Sequence, residues 1–263
     1  MLLTIINDCR DMNAAGRQAT RAAALLKGTV HFIGVANDLE ASGNLVDMLD
    51  AFGDTQGAVL VNVAPRNGKA KLWHNGTPFG YFYYKKILVV ASVDGLTLSL
   101  VKKLGLADEL KVLDIASCLH FLEKREQLTE NLASRIHESQ FRSYDFLPRA
   151  ADWILRGREM PYSVLSLQAI ADARPCVWWV DNFGNCKTTL LEEEVLKRKD
   201  ARGAIPTAFG ALPYYPRLKD VPDDTVALVT GSSGLENKQF VEIVAQGASA
   251  AQVLGISSGD VMW

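Results

Sequence analysis

Apolar and polar positions along the first third of the chain switch between strand-like and helix-like periods. Leu2 to Ile6 is a short β-rich apolar run, closed by the polar group Asn7-Asp8-Cys9-Arg10-Asp11. Asn13 to Leu26 then has the Ala-rich character of a helix, which Gly28 stops. Val30 to Val35 is a second apolar run, Leu45 to Phe52 reads as helix, and Gly57 to Val63 and Ile87 to Ser92 read as buried strands. Helical segments follow around Leu98 to Leu104 and over Leu119 to His137. Strands separated by helical segments of this length predict a mostly parallel α/β sheet. The pattern changes over Arg156 to Arg174. Beyond it, Cys176 to Val180, Thr225 to Thr230 and Phe240 to Val244 are short strand candidates punctuated by Gly, Pro and Ser. Only Leu190 to Lys199 and Ala248 to Leu254 read as helical there. The expectation is an α/β domain over residues 1–157 and a smaller β-rich domain over 174–263.

Composition narrows the function classes. With 263 residues, 48% hydrophobic and 22% charged, the chain has the make-up of a globular protein and can bury a real core. Lys plus Arg is 28 against 30 for Asp plus Glu, a net charge of −2, so the basic excess of a nucleic-acid binder is missing. The four cysteines, Cys9, Cys118, Cys176 and Cys186, are far apart, with neither a CxxC pair nor the density of a disulfide framework. The four histidines lack metal-ligand spacing, and no metal site is expected. No run approaches the roughly 20 apolar residues of a membrane span. Met1 to Arg10 lacks a signal-peptide layout. These features predict a soluble protein in a reducing, cytoplasmic setting, with neither nucleic acid nor membrane as a partner.

Three polar segments follow apolar strands, where α/β proteins place ligands. In Asp8-Cys9-Arg10-Asp11-Met12-Asn13, a carboxylate can accept hydrogen bonds from two neighbouring ribose hydroxyls, while Asp11 or Asn13 equally suits a helix cap. In Asp181-Asn182-Phe183-Gly184-Asn185, followed by Cys186-Lys187-Thr188-Thr189, the pattern fits a simple turn. It also fits a site where Asp181 meets a ligand ammonium and Asn185 presents donor and acceptor to a purine edge. Thr230-Gly231-Ser232-Ser233-Gly234 reads as a loop whose backbone N–H groups suit a carboxylate or phosphate, without the Lys of a P-loop.

The second and third segments, in this order, resemble the S-adenosylmethionine hydroxide adenosyltransferase family, which is related to the chlorinases and fluorinases. The family's Asp-x-Phe-Gly-Asn signature reads here as Asp181 to Asn185, with Thr188-Thr189 following. Its Asn-Ser-Ser-Gly turn is similar to Gly231-Ser232-Ser233-Gly234, and its Leu-Glu-Ile strand to Val241-Glu242-Ile243. Ser249-Ala250-Ala251, Leu254-Gly255 and Gly259-Asp260-Val261 resemble its C-terminal tail. The front half is similar more thinly, at Asn7-Asp8, at Gly16-Arg17, at Val61 to Gly68, and at Phe141-Arg142-Ser143-Tyr144-Asp145 with Pro148.

The resemblance implies an α/β domain, a β-barrel-like domain, and a homotrimer with its sites between chains. It implies S-adenosylmethionine as substrate, with no separate cofactor, hydrolysed to adenosine and methionine by substitution at the ribose C5′. Asp8 would then hold the ribose hydroxyls, Asp181 and Ser232 the methionine ammonium, Ser233 its carboxylate, and Asn185 the adenine. The nucleophile site would draw on Asn67, Arg142 and Ser143, with Arg66 and His137 nearby. The chain departs from the hydrolytic pattern in placing Ala64 where an Asp is expected and Arg142 where a His is expected. It also carries an insertion over Leu235 to Gln239 and has Leu218 at the position of an adenine-stacking ring, for which Tyr214 or Tyr215 would substitute. Two other expectations follow from these departures: a non-catalytic protein that binds S-adenosylmethionine or adenosine, and an adenosyl transferase that uses a halide.

Overall fold

The structure is a computed structural model and describes residues 1–64 and 76–263. The chain forms two compact units, Met1–Ala171 and Asp172–Trp263.

The first unit begins with β1 (Leu2–Asn7), α1 (Met12–Leu26), β2 (Thr29–Gly34), α2 (Asp38–Phe52) and β3 (Gly57–Asn62). It continues with β4 (Phe79–Tyr84), β5 (Ile87–Ser92), α3 (Ser99–Leu104), β6 (Glu109–Leu113) and α4 (Ile115–Lys124). It ends with α5 (Glu130–His137), α6 (Arg142–Asp145), α7 (Leu147–Leu155) and β7 (Ser163–Ser166). The seven strands form one sheet in the order β2-β1-β3-β5-β4-β6-β7. β2, β1, β3 and β5 are parallel, whereas β4, β6 and β7 are joined by antiparallel ladders. The sheet is therefore mixed, where the helix–strand alternation predicted a mostly parallel one. β7 extends this sheet, so residues 158–171, which fall outside both expected domains, belong with the first unit.

Local chemistry sets the helix ends. The Asp11 carboxylate accepts from the Ala14 N–H and caps α1. α2 starts seven residues before Leu45 because Asn37 caps the Glu40 N–H while Glu40 returns a bond to the Ala36 N–H. The long helix expected over Leu119 to His137 is two, since Thr129 caps a fresh start by accepting from the Leu132 N–H. β3 and β5 are buried along nearly their whole length, as strands covered on both faces must be. α1, α4, α5 and α7 pack on Leu3, Ile5, Leu60, Leu88 and Val90. α2 packs against α3, β1 and β3.

The second unit holds β8 (Val177–Val180), β9 (Cys186–Leu191), α8 (Glu192–Leu196), β10 (Ile205–Thr207) and β11 (Gly210–Leu212). β12 (Tyr214–Tyr215), β13 (Val226–Leu235), β14 (Lys238–Ala245) and α9 (Ala250–Leu254) complete it. Its main sheet has the order β12-β13-β14-β9-β8, beside a two-stranded ribbon of β10 and β11. The core gathers Val177, Leu190, Leu228, Val241, Ile243 and Met262. The helix expected over Leu190 to Lys199 is the single short α8.

Candidate functional site

In the first unit the chain runs from β1 to β2 on one side and then returns to β3 on the other side of β1. The direction of winding therefore reverses between β1 and β3, and open α/β sheets hold ligands beyond the carboxyl ends of the strands at that reversal. Asp8 stands there, one residue past β1, and its Oδ2 accepts from the Ala64 N–H at 3.2 Å, two residues past β3. Its own N–H donates to the Asn62 carbonyl. Behind it, the buried Asn7 amide donates to Gln18 at 2.7 Å and its carbonyl accepts from the Cys9 N–H, which fixes the path of the chain out of β1. The Ser92 hydroxyl accepts from the Val63 N–H and ties β5 to the same edge. Of the two readings of this loop, Asp11 takes the helix cap, and Asp8 stands at the carboxyl edge. Asn67 and Arg66 lie outside the described residues.

Arg142 and Ser143 open the one-turn helix α6. The Arg142 guanidinium lies against the backbone of Gly76, where no Cβ fits, and Nη1 donates to the Thr77 carbonyl at 3.2 Å. Burial pulls its pKa below the usual guanidinium value. With Ile115, Ala116, His137, Glu138 and Gln140 it lines a cleft of about 570 Å³. Ser143 is buried. The segment is held from the other side by α1. Arg17 stacks on the rings of Phe141 and Tyr144, and Arg21 stacks on Tyr144 and pairs with Asp145 at 3.2 Å. Arg149 donates to the Asp145 carbonyl and lies 3.8 Å from its carboxylate. Arg21 and Arg149 stand in no motif of the sequence, and Arg17 enters only through Gly16-Arg17; Arg17 and Arg21 at helical spacing are the available signal.

In the second unit, Asp181 organises its own loop. Oδ1 accepts from the N–H groups of Phe183 (2.8 Å) and Asn185 (2.9 Å), and Oδ2 accepts from the Asn185 amide at 3.0 Å. Gly184 adopts φ +83° with its Cα against Ser249, a position no side chain can share. The turn reading of this segment holds: Asp181 closes a turn that orients Asn185 and leaves the Phe183 ring 72% exposed. A carboxylate has about four acceptor positions, and three are used.

Gly231 to Gly234 is not a loop. It continues β13 as a bulge, since pairing with β14 breaks after Thr230 and resumes at Gly234. The turn lies farther on, at Glu236 and Asn237, so the insertion over Leu235 to Gln239 lengthens a hairpin. Likewise, Cys186 to Thr189, read as the continuation of a loop, form strand β9. Ser232 is exposed and Ser233 is buried. The Ser232 N–H donates to Glu242 at 3.2 Å, so the protein's own carboxylate occupies the N–H that suited a ligand anion. Gly231 permits this, because no Cβ fits between it and the Glu242 carboxylate. Lys187 lies opposite Glu242 across β9 and β14 and donates to the Ser233 hydroxyl. Glu242, a lone acid inside the apolar run Phe240 to Val244, was the readable trace of this network. Tyr214 is tied down by Glu192 and Thr230, both at 2.7 Å, and its hydroxyl pKa is pushed up to about 12, mainly by burial.

Among the described residues no group of three or more His, Cys, Asp or Glu side chains is placed to hold a metal ion. No described helix is long and apolar enough to cross a membrane.

The first unit is thus an α/β sheet with a polar carboxyl edge at its winding reversal. No protein-family model matches the sequence, and no curated protein matches it. Among solved structures the chain is similar to an uncharacterized conserved protein from Thermotoga maritima, with a TM-score of 0.68 and 16% identity over 99% of this chain and 98% of that one. It is also similar to a conserved hypothetical protein from Thermus thermophilus, with a TM-score of 0.62 and 16% identity over 98% and 97% of the two chains. At such identities the likeness establishes the fold.

Proposed function

We propose that the chain hydrolyses S-adenosylmethionine to adenosine and methionine by substitution at the ribose C5′. The observation that carries this reading is the position of Asp8, a carboxylate at the winding reversal of the sheet, where it can accept from a vicinal diol. The rigid Asp181–Asn185 turn supports it by presenting an amide and an exposed ring together, the pair needed to read and stack an adenine. On this reading Asp181 offers its remaining acceptor position to the methionine ammonium, with Ser232 and Ser233 at the amino-acid end. The barrel-like form of the second unit, a homotrimer and a cytoplasmic setting belong to the same proposal.

The sulfonium is already a good leaving group. The C5′–S electron pair departs with methionine sulfur as the oxygen nucleophile bonds to C5′. The protein has mainly to position and desolvate that nucleophile in line with the C–S bond. Arg142, a half-buried cation in a side-chain-lined cleft, favours an anion over neutral water and supplies no general base. Hydroxide therefore serves better than water, and Asn67 and Ser143 are the remaining candidates for orienting it. The same cation favours the second reading, in which a halide replaces hydroxide.

Incubation with S-adenosylmethionine followed by chromatography tests the proposal. Adenosine and methionine should form slowly, faster at higher pH, with Arg142→Ala removing the pH response. Unchanged S-adenosylmethionine at every pH tested, with or without halide, refutes the activity.

A further inference from the structure

A second cleft lies in the first unit on the far strands of the sheet, and the function proposed above makes no use of it. Phe79, Tyr81 and Tyr83 share one face of β4 and pass from the core to the rim: Phe79 is buried, Tyr81 half-buried and Tyr83 51% exposed. Lys111 of β6 stands directly opposite Tyr81 on the same face. Tyr81, Tyr83 and Lys111, with Phe121, Arg158 and Tyr162, line a space of about 620 Å³, within the range of small-ligand sites.

Two of the cations there, Lys111 and Arg125, rest on rings. The Lys111 ammonium lies 4.9 Å from the centre of the Tyr162 ring and 5.8 Å from that of Tyr81. Arg125 lies 4.3 Å over Phe121 and pairs with Glu159 at 3.1 Å. Arg158 donates to the Gln127 carbonyl. Among the described residues, Glu159 is the one carboxylate lining the cleft against three cations, in a chain whose net charge is −2. A cation resting on an aromatic face keeps its N–H donors for another partner and loses less side-chain freedom on binding. The Tyr83 ring lines the same cleft as these charges.

We propose that this cleft binds a nucleoside phosphate, with the base stacked on Tyr83 and the phosphate held by Lys111 and Arg158. Cations alone would suit any anion, and rings alone any apolar ligand. A nucleotide joins a π-face to a polyanion in one molecule, as the cleft joins Tyr83 to Lys111 and Arg158. The site is separate from Asp8, which lies beyond the carboxyl ends of β1 and β3.

Calorimetry with ADP, adenosine and inorganic phosphate as probes tests this. ADP should bind at least tenfold more tightly than either adenosine or phosphate, and its affinity should fall severalfold when ionic strength rises. Lys111→Gln and Arg158→Gln should each weaken ADP about tenfold. Tyr83→Ala should weaken it about fivefold or more. Lys111→Arg and Asp8→Asn should bind as the parent does. The proposal falls if the parent does not bind ADP, or if adenosine or phosphate alone binds as tightly. It falls equally if folded Lys111→Gln and Arg158→Gln proteins keep parental affinity, or if Asp8→Asn abolishes binding. Thermal unfolding of each variant establishes that it is folded, and Arg158→Gln carries the test should Lys111→Gln fail to fold.

Discussion

Asp181→Ala separates a residue that touches a ligand from one that builds the turn presenting it. The substitution removes three hydrogen bonds, to the Phe183 N–H, the Asn185 N–H and the Asn185 amide, all between 2.8 and 3.0 Å. Bonds to a charged acceptor contribute about 1.5–3 kcal/mol each when well buried, and about 1 kcal/mol each is the fair figure at this half-exposed turn. The loss should therefore be about 2–3 kcal/mol, since the Phe183 N–H can turn to water while the half-buried Asn185 loses both its anchors. For a unit of this size that is on the order of 10 °C in melting temperature. Asp181→Asn keeps an oxygen for the two backbone donors and should cost only about 1 kcal/mol. Denaturant unfolding followed by tryptophan fluorescence reads stability, and calorimetry reads binding of S-adenosylmethionine and adenosine. Asp181→Ala should weaken both ligands, because Asn185 is no longer oriented, and should weaken S-adenosylmethionine the more. An unchanged unfolding midpoint would refute the turn-building role. A lowered midpoint with both affinities intact would remove this turn from the binding site.

Phe146 is fully buried against Phe79 and Trp153, so Phe146→Ala should destabilise the first unit by about 3–5 kcal/mol in denaturant unfolding. Gly231→Ala places a methyl against the Glu242 carboxylate and should cost about 1–3 kcal/mol, with Glu242→Ala in the same chain recovering part of it in a double-mutant cycle. Burial pushes the Cys118 and Cys186 thiols up to about 12, so their thiolates are scarce at pH 8. Of the four cysteines, half-exposed Cys9 should react first with an aromatic disulfide reagent, the others following only on unfolding, and Cys9→Ser should remove the fast phase.

Where apolar periods were regular, the elements were readable. β1, α1, β2, β3 and β5 lie within a residue or two of their sequence bounds because each is a plain apolar run ended by a polar group or a cap. β4 escaped notice because its hairpin to β5 turns through Lys85 and Lys86, with Lys85 at φ +50°, and no Asn-Gly or Gly marks the turn. With β4 unseen, the antiparallel half of the sheet was unseen too. Gly231 to Gly234 misled for the opposite reason. Small residues that usually signal a loop here make room inside a strand for Glu242, a requirement of tertiary packing that no local pattern contains. Asp8 and Asp181 were both legible as polar residues following strands. Their partners Ala64 and Asn185 show how differently they are used: bonds across the strand ends for Asp8, and a closed turn for Asp181. The Arg17–Tyr144 and Lys111–Tyr162 contacts join residues far apart in sequence, so their meeting was beyond the reach of spacing arguments.

Substitution by an oxygen nucleophile at C5′ leaves an isotopic signature. The protein is incubated with S-adenosylmethionine in ¹⁸O-labelled water at high pH, and the products are read by mass spectrometry. One ¹⁸O is expected in the 5′-hydroxyl of adenosine and none in methionine, with turnover lost in Asp8→Asn. Intact S-adenosylmethionine, or adenosine formed without the label, would contradict this substitution.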